Sequence, residues 1–108
     1  MIPQLAPAEL VRWRADATRE APLLVDVREQ WEFAHCRIDG SLSIPLGELP
    51  HRQAELPRER PLVMVCHHGR RSLTATFMLR AAGFTNVRSM AGGIDLWARD
   101  IDPKMATY

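Results

Sequence analysis

The sequence predicts an α/β sandwich around a mainly parallel sheet, and three observations predict it. Short apolar runs of strand length alternate with stretches of helical character along the whole chain. The 108 residues suffice for one domain, spanning 1–108, and for no more. Two polar clusters, Asp26-Val27-Arg28-Glu29 and Cys66-His67-His68-Gly69-Arg70-Arg71-Ser72, sit where apolar runs end. In parallel α/β folds that is where ligands bind.

The elements follow in order. Ala8 to Ala17 carries Leu10, Val11 and Trp13 just after Pro7, a residue suited to a helix start. Leu23 to Val27 is a buried strand with one interior acid, Asp26. Glu29 to His35 reads as a short helix with Trp31 and Phe33, and Ser41 to Ile44 as a brief strand between Gly40 and Pro45. Leu46 to Leu56 is a weakly helical crossover stopped by Pro57. Leu62 to Cys66 is the clearest strand, bounded by Pro61 and by polar residues. A helix runs from about Ser72 to Ala82, with Leu73, Phe77 and Ala81 at four-residue spacing and Gly83 placed to cap it. Asn86 to Met90 is a strand, Gly92-Gly93 a turn, and Ile94 to Arg99 a last helix with Trp97 facing inward. Trp13, Trp31 and Trp97 read as packing residues.

Composition narrows the function classes. With 46% apolar and 25% charged residues the chain is no disordered tail. Fourteen basic residues nearly cancel thirteen acidic ones, for a net charge of +1, which argues against a nucleic-acid binder. Nearly all the basic residues are arginine, which suits bidentate anion contacts and equally reflects genome base composition. No apolar run approaches the roughly twenty residues of a membrane span, and Arg12 and Arg14 interrupt the N-terminal stretch where a signal peptide would need one. Two cysteines make no disulfide framework and point to a reducing compartment or to thiol chemistry. The expected setting is cytoplasmic, with no membrane and no nucleic-acid partner.

The chemistry concentrates at Cys66, where a buried strand ends and a helix begins a few residues later. Every residue from His67 to Ser72 offers a backbone N–H, and Gly69 allows a tight turn. Such a loop, with a helix N-terminus and Arg70 and Arg71 beside it, favours the thiolate, the nucleophilic form. A lone cysteine at a strand end is ordinarily an inert small hydrophobe. Two histidines, a glycine, two arginines and a serine in immediate succession are more donor-rich than such a strand end requires. No metal site is expected, because the cysteines and histidines lack a chelating spacing. No cofactor is expected either. Cys36 reads as a plain buried cysteine, the alternative being a thiol that resolves oxidised Cys66.

Four motifs together resemble the single-domain rhodanese family: Leu24-Val25-Asp26-Val27-Arg28-Glu29; His35-Cys36-Arg37-Ile38-Asp39-Gly40-Ser41 leading to Ile44-Pro45; Cys66 to Ser72; and Gly92-Gly93-Ile94 with Trp97. The resemblance covers about Leu23 to Trp97. It implies a rhodanese-like α/β fold, a five-stranded mainly parallel sheet flanked by helices on both faces. It also implies transfer of a sulfane sulfur from thiosulfate or a persulfide to cyanide or a thiol, through a persulfide on Cys66. A carrier role, passing sulfur between the proteins of a sulfur relay, is the alternative. Arg37 departs from the histidine often found there, a position outside the family's catalytic set.

A related phosphatase and arsenate-reductase group places five residues between cysteine and arginine. Here four separate Cys66 from Arg71. The smaller ring of N–H groups suits one sulfur atom better than a tetrahedral phosphate. By its place in the motif Arg71 turns back to brace the loop. Arg70 points outward, either to meet an anionic substrate or as a solvated surface residue. His67 and His68 bind anions, tune Cys66 or merely fill the loop. Asp26 and Arg28 support the site from the neighbouring strand, with the Asp26 carboxylate in reach of Arg71 or of a loop N–H.

Overall fold

The computed structural model describes residues 2–108. Its strands are β1 (Gln4–Leu5), β2 (Leu23–Asp26), β3 (Leu42–Ser43), β4 (Leu62–Val65) and β5 (Val87–Met90). Its helices are α1 (Pro7–Ala15), α2 (Gln30–His35), α3 (Leu49–Arg52), α4 (Arg70–Ala81) and α5 (Gly93–Asp100). One five-stranded sheet runs in the order β1-β5-β4-β2-β3, and every neighbouring pair is parallel.

Strand β4 lies at the centre and is buried along its length, as four consecutive apolar residues require of a strand covered on both faces. Its side chains alternate between two cores. Leu62, Met64 and the following Cys66 join Ala75 and Leu79 of α4 and Leu49 of α3. Val63 and Val65 join Leu10 and Trp13 of α1 and Ile94 and Trp97 of α5. The helices thus cover both faces of the sheet.

The topology places the site. From β2 the chain continues through α2 to the edge strand β3, and from β4 it continues through α4 to β5, on the other side. The connections therefore diverge between β2 and β4, and a crevice opens beyond their C-terminal ends. The two polar clusters leave β2 and β4 at that crevice.

Several elements differ from the sequence reading. Strand β1 was not expected, because two residues carry no periodicity; its pairing with Ser89 and Met90 defines it. The crossover resolves into 3-10 turns at Leu46–Glu48 and Gln53–Glu55 flanking α3. Helix α4 starts at Arg70 and buries Ser72, Ala75, Thr76 and Leu79, while Phe77 is 50% exposed. The apolar stripe of Leu73, Phe77 and Ala81 is thus not the core face. The small and hydroxylated face packs instead, letting α4 approach β5 closely. Its hydroxyls find local partners: Thr76 Oγ1 donates to Ser72 O at 2.8 Å. Trp31 is likewise no core residue, being 63% exposed.

Candidate active site

The loop after β4 reaches α4 through Gly69, whose φ of +101° only glycine adopts without strain. That turn aims the Gly69 N–H at Cys66 Sγ, 3.1 Å away. The thiol also donates to Ser72 Oγ at 3.3 Å, and Ser72 Oγ in turn lies 2.7 Å from Ser89 Oγ on β5. Among the described residues the N–H groups of His67, His68, Arg70, Arg71 and Ser72 donate to no main-chain or side-chain acceptor. One N–H therefore reaches the sulfur itself, and five more in the same short segment are left without a protein acceptor. Ser89 escaped sequence reading, although a lone polar residue at an inward strand position between Val87 and Met90 is a signal.

The start of α5 orients this loop. Ile94 N–H donates to Cys66 O at 2.8 Å, and Asp95 N–H to His67 O at 3.0 Å. Each trans peptide carries its N–H opposite its carbonyl. Anchoring these two carbonyls to α5 turns the N–H groups of His67 and His68 the other way. Gly93 makes the approach possible: a Cβ there would stand 2.4 Å from both carbonyl oxygens.

Two ion pairs brace the crevice. Arg28 and Asp26 are wholly buried, with Nη2 donating to Oδ2 at 2.7 Å and Nε to Oδ1 at 2.9 Å. Arg28 also donates to Cys36 O at 2.6 Å and to Glu32 O at 3.3 Å, tying the end of α2 to the end of β2. Burial opposes its charge, but the hydrogen bonds with Asp26 and Tyr108 outweigh it and hold the guanidinium above its ordinary range. Asp26 therefore fixes Arg28, not Arg71 or a loop N–H. The partner of Arg71 is Glu32, held by a bidentate pair at 2.6 and 2.9 Å. Glu32 lay outside the sequence reading, since Glu29 and Glu32 have capping spacing and nothing local marks Arg71 as a partner. Arg70 is exposed and, among the described residues, forms no ion pair.

Beside the loop, His67 stacks on His68 with centroids 3.9 Å apart and on Tyr108 at 4.0 Å. Burial, then the neighbouring His68, holds His67 below its ordinary range, so it is neutral at neutral pH. The Tyr108 hydroxyl is pushed up to about 12 by burial and by Glu32, and so remains a donor. Ligand atoms of His67, His68 and Asp95 lie within 4.8 Å of one another, a grouping the sequence spacing did not indicate. The two imidazoles are stacked, their planes 28° apart. Cys36 is buried and forms no disulfide, with Sγ 3.7 Å from Arg28 Nη1. A cavity of about 220 Å³ opens over Cys66, lined also by His67, His68, Arg70 and Arg71. Among the described residues no helix is long and apolar enough to cross a membrane.

The Glu32 pair sets an acid limit on the site. Hydrogen bonds from Arg71, then from Tyr108 and the Glu29 N–H, outweigh burial and hold the Glu32 carboxyl near about 2, below its ordinary 4.5. A depressed carboxyl contributes stability that is complete above its ordinary value and lost as pH falls from there toward 2. The loss expected from this group is about 3 kcal/mol. Unfolding free energies of the wild type and of Glu32→Gln, measured by urea titration between pH 6 and 2.5, should converge as pH falls. Parallel curves would exclude this role.

Comparison with known proteins completes the picture. A family model described as rhodanese-like domain matches residues 7–100. The chain is 39% identical over 83 residues to a sulfurtransferase of Allochromatium vinosum, covering 77% of this chain and 78% of that one. It is 36% identical over 85 residues to the thiosulfate sulfurtransferase GlpE of Stutzerimonas stutzeri, covering 78% of each. It is 32% identical over 93 residues to the adenylyltransferase and sulfurtransferase uba4 of Ogataea parapolymorpha, covering 85% of this chain but spanning only 24% of that protein. The human single domain sulfurtransferase TSTD1 superposes with a TM-score of 0.78 at 32% identity, covering 91% of this chain and 96% of that one. By its sequence, its sheet and the order of its elements, the chain belongs to the rhodanese-like domain family.

Proposed function

We propose that this protein is a sulfurtransferase that carries a sulfane sulfur on Cys66, taken from thiosulfate or a persulfide and given to cyanide or a thiol. The observation that carries the reading is the Cys66 sulfur, which accepts the Gly69 N–H, in a loop whose other N–H groups have no protein acceptor and which lines a small cationic cavity. The Cys66 thiolate attacks the outer sulfur of thiosulfate. A new S–S bond forms, the bond to the sulfonate sulfur breaks, and sulfite leaves with the bonding pair. Cyanide or an acceptor thiolate then attacks the outer sulfur of the persulfide, and Cys66 departs as thiolate. No net oxidation occurs, and the proton that the resting thiol shares with Ser72 Oγ leaves to solvent before the attack. The free N–H groups of His67, His68, Arg70, Arg71 and Ser72 stabilise the charge on the transferred sulfur, as an oxyanion hole does for oxygen.

Arg71, braced by Glu32, holds a fixed positive charge at the loop, and exposed Arg70 meets the incoming anion. Asp26 and Arg28 hold the neighbouring wall without touching substrate. The cavity, near 220 Å³, falls below the roughly 300 Å³ at which pockets for drug-sized ligands begin, and suits a small dianion. A relative named for thiosulfate sulfur transfer, matched over 78% of this chain, supports the donor. Two unpaired thiols fit a reducing, cytoplasmic setting. The protein mixed with thiosulfate and cyanide should form thiocyanate, and Cys66→Ser should form none. Full activity in that variant would overturn the reading.

A sulfur-carrier role is the second reading, favoured by the match to part of a protein named for both adenylyl and sulfur transfer. A persulfide on Cys66 in protein isolated without reductant, together with slow thiosulfate turnover, would select it.

A further inference from the structure

The chain beyond α5 turns back onto the site. Ile101 and Asp102 donate their N–H groups to Trp97 O at 2.8 and 3.0 Å, and Met105 N–H donates to Asp102 O at 3.0 Å. Met105 packs on the core beneath α5, and Thr107 O lies 2.9 Å from His35 Nε2. The segment thus delivers Tyr108 to the loop. The Tyr108 ring lies 4.0 Å from the His67 ring at an interplanar angle of 18°, and His68 lies 3.9 Å from the same ring. Two rings that both lie nearly parallel to His67 at contact distance occupy its two faces. His67 is therefore clamped between them.

The hydroxyl reaches further. It donates to Glu32 Oε2 at 2.6 Å and accepts from Arg28 Nη1 at 3.0 Å. Glu32 holds Arg71, and Arg28 holds Asp26 and the end of α2. One side chain thus touches both ion pairs and the residue next to the nucleophile. Trp31 and His35 pack edge-on against the same ring at 5.5 and 5.7 Å.

We propose that Tyr108 is a positioning residue of the transfer loop: its ring clamps His67, and its hydroxyl joins the Glu32–Arg71 pair to the Asp26–Arg28 pair. The inference rests on the sulfur-transfer reading of Cys66 and adds to it what holds the loop in its donor-ring shape. Tyr108 is not among the residues lining the cavity; His67 and Arg71 are. It acts through them. A ring of N–H groups stabilises a developing charge only while its members stay aimed, so slack in His67 raises the barrier.

The test uses the full chain with Tyr108→Ala and Tyr108→Phe. Tyr108→Ala should lower kcat/KM for thiosulfate by about tenfold or more. Tyr108→Phe keeps the ring and should recover to within about threefold of wild type. A second readout is the His67 ring titration by NMR, which burial, His68, Asp95, Glu32 and Arg28 together set. Uncovering the ring in Tyr108→Ala should move that titration upward, and Tyr108→Phe should leave it in place. An unchanged kcat/KM and an unmoved titration in Tyr108→Ala would overturn the proposal. A phenylalanine variant as slow as the alanine one would overturn the ring clamp and assign the positioning to the hydroxyl alone. Should the alanine variant fail to fold, Tyr108→Leu, which keeps bulk without a stacking face, takes its place. If the wild type makes no thiocyanate, the sulfur-transfer reading falls, and the His67 titration still decides the clamp.

Discussion

Gly93→Ala is expected to destabilise the fold by about 3 kcal/mol or more and to reduce sulfur transfer at least about a hundredfold. Three features combine there. The residue has φ +60°, where a side chain costs about 1–2 kcal/mol. Its new Cβ would meet Cys66 O and His67 O at 2.4 Å, and both are backbone atoms that cannot swing aside. Relief requires α5 to retreat from the loop, which breaks the bonds from Ile94 N–H and Asp95 N–H. Those bonds orient the peptides that carry the His67 and His68 N–H groups, which the proposed transfer uses. Stability and activity should therefore fall together. Gly47→Ala is the control, since a Cβ there meets nothing within 4 Å and the φ is unexceptional. Urea midpoints and thiocyanate rates for both variants test the argument. A Gly93→Ala protein with the wild-type midpoint would refute it.

The second large effect is expected at Asp26. Arg28 is fully buried and charged, and Asp26 supplies its carboxylate partner. Asp26→Ala leaves that guanidinium without its counter-charge, at a cost of about 3–5 kcal/mol. Against a typical domain stability of about 5–15 kcal/mol, that is a large share. The melting temperature should fall by about 4–8 °C for each kcal/mol lost. Asp26→Ala combined with Arg28→Leu removes both charges and should recover much of the loss. A double variant no better than the single would mean that the remaining Arg28 bonds, to Cys36 O, Glu32 O and Tyr108, matter more than its charge. Because Arg28 pins α2, the single variant should also loosen Glu32 and slow transfer.

Local sequence carried much of this protein. The apolar run at β4 and the run of donors after Cys66 marked the strand, the helix and the loop between them, because period and turn chemistry are short-range properties. The same local reading failed on α4. Spacing alone offered Leu73, Phe77 and Ala81, and the sheet took the opposite face because Ser72 and Ala75 permit closer approach. It failed again on Trp31, whose size suggests burial and which α2 leaves exposed, edge-on to the Tyr108 ring.

By itself the sequence determined the alternation of strands and helices, the position of the thiol at a strand end, and the length of the loop that surrounds it. Those are matters of neighbours along the chain. Only the tertiary structure decided that Glu32 rather than Asp26 meets Arg71, that α5 turns the loop carbonyls, and that Tyr108 closes on His67. Each of these pairs residues far apart in sequence, and the parallel order of the strands brings them to one crevice. A charge or a ring carries no mark of its partner until the packing of the sheet sets the distance between them.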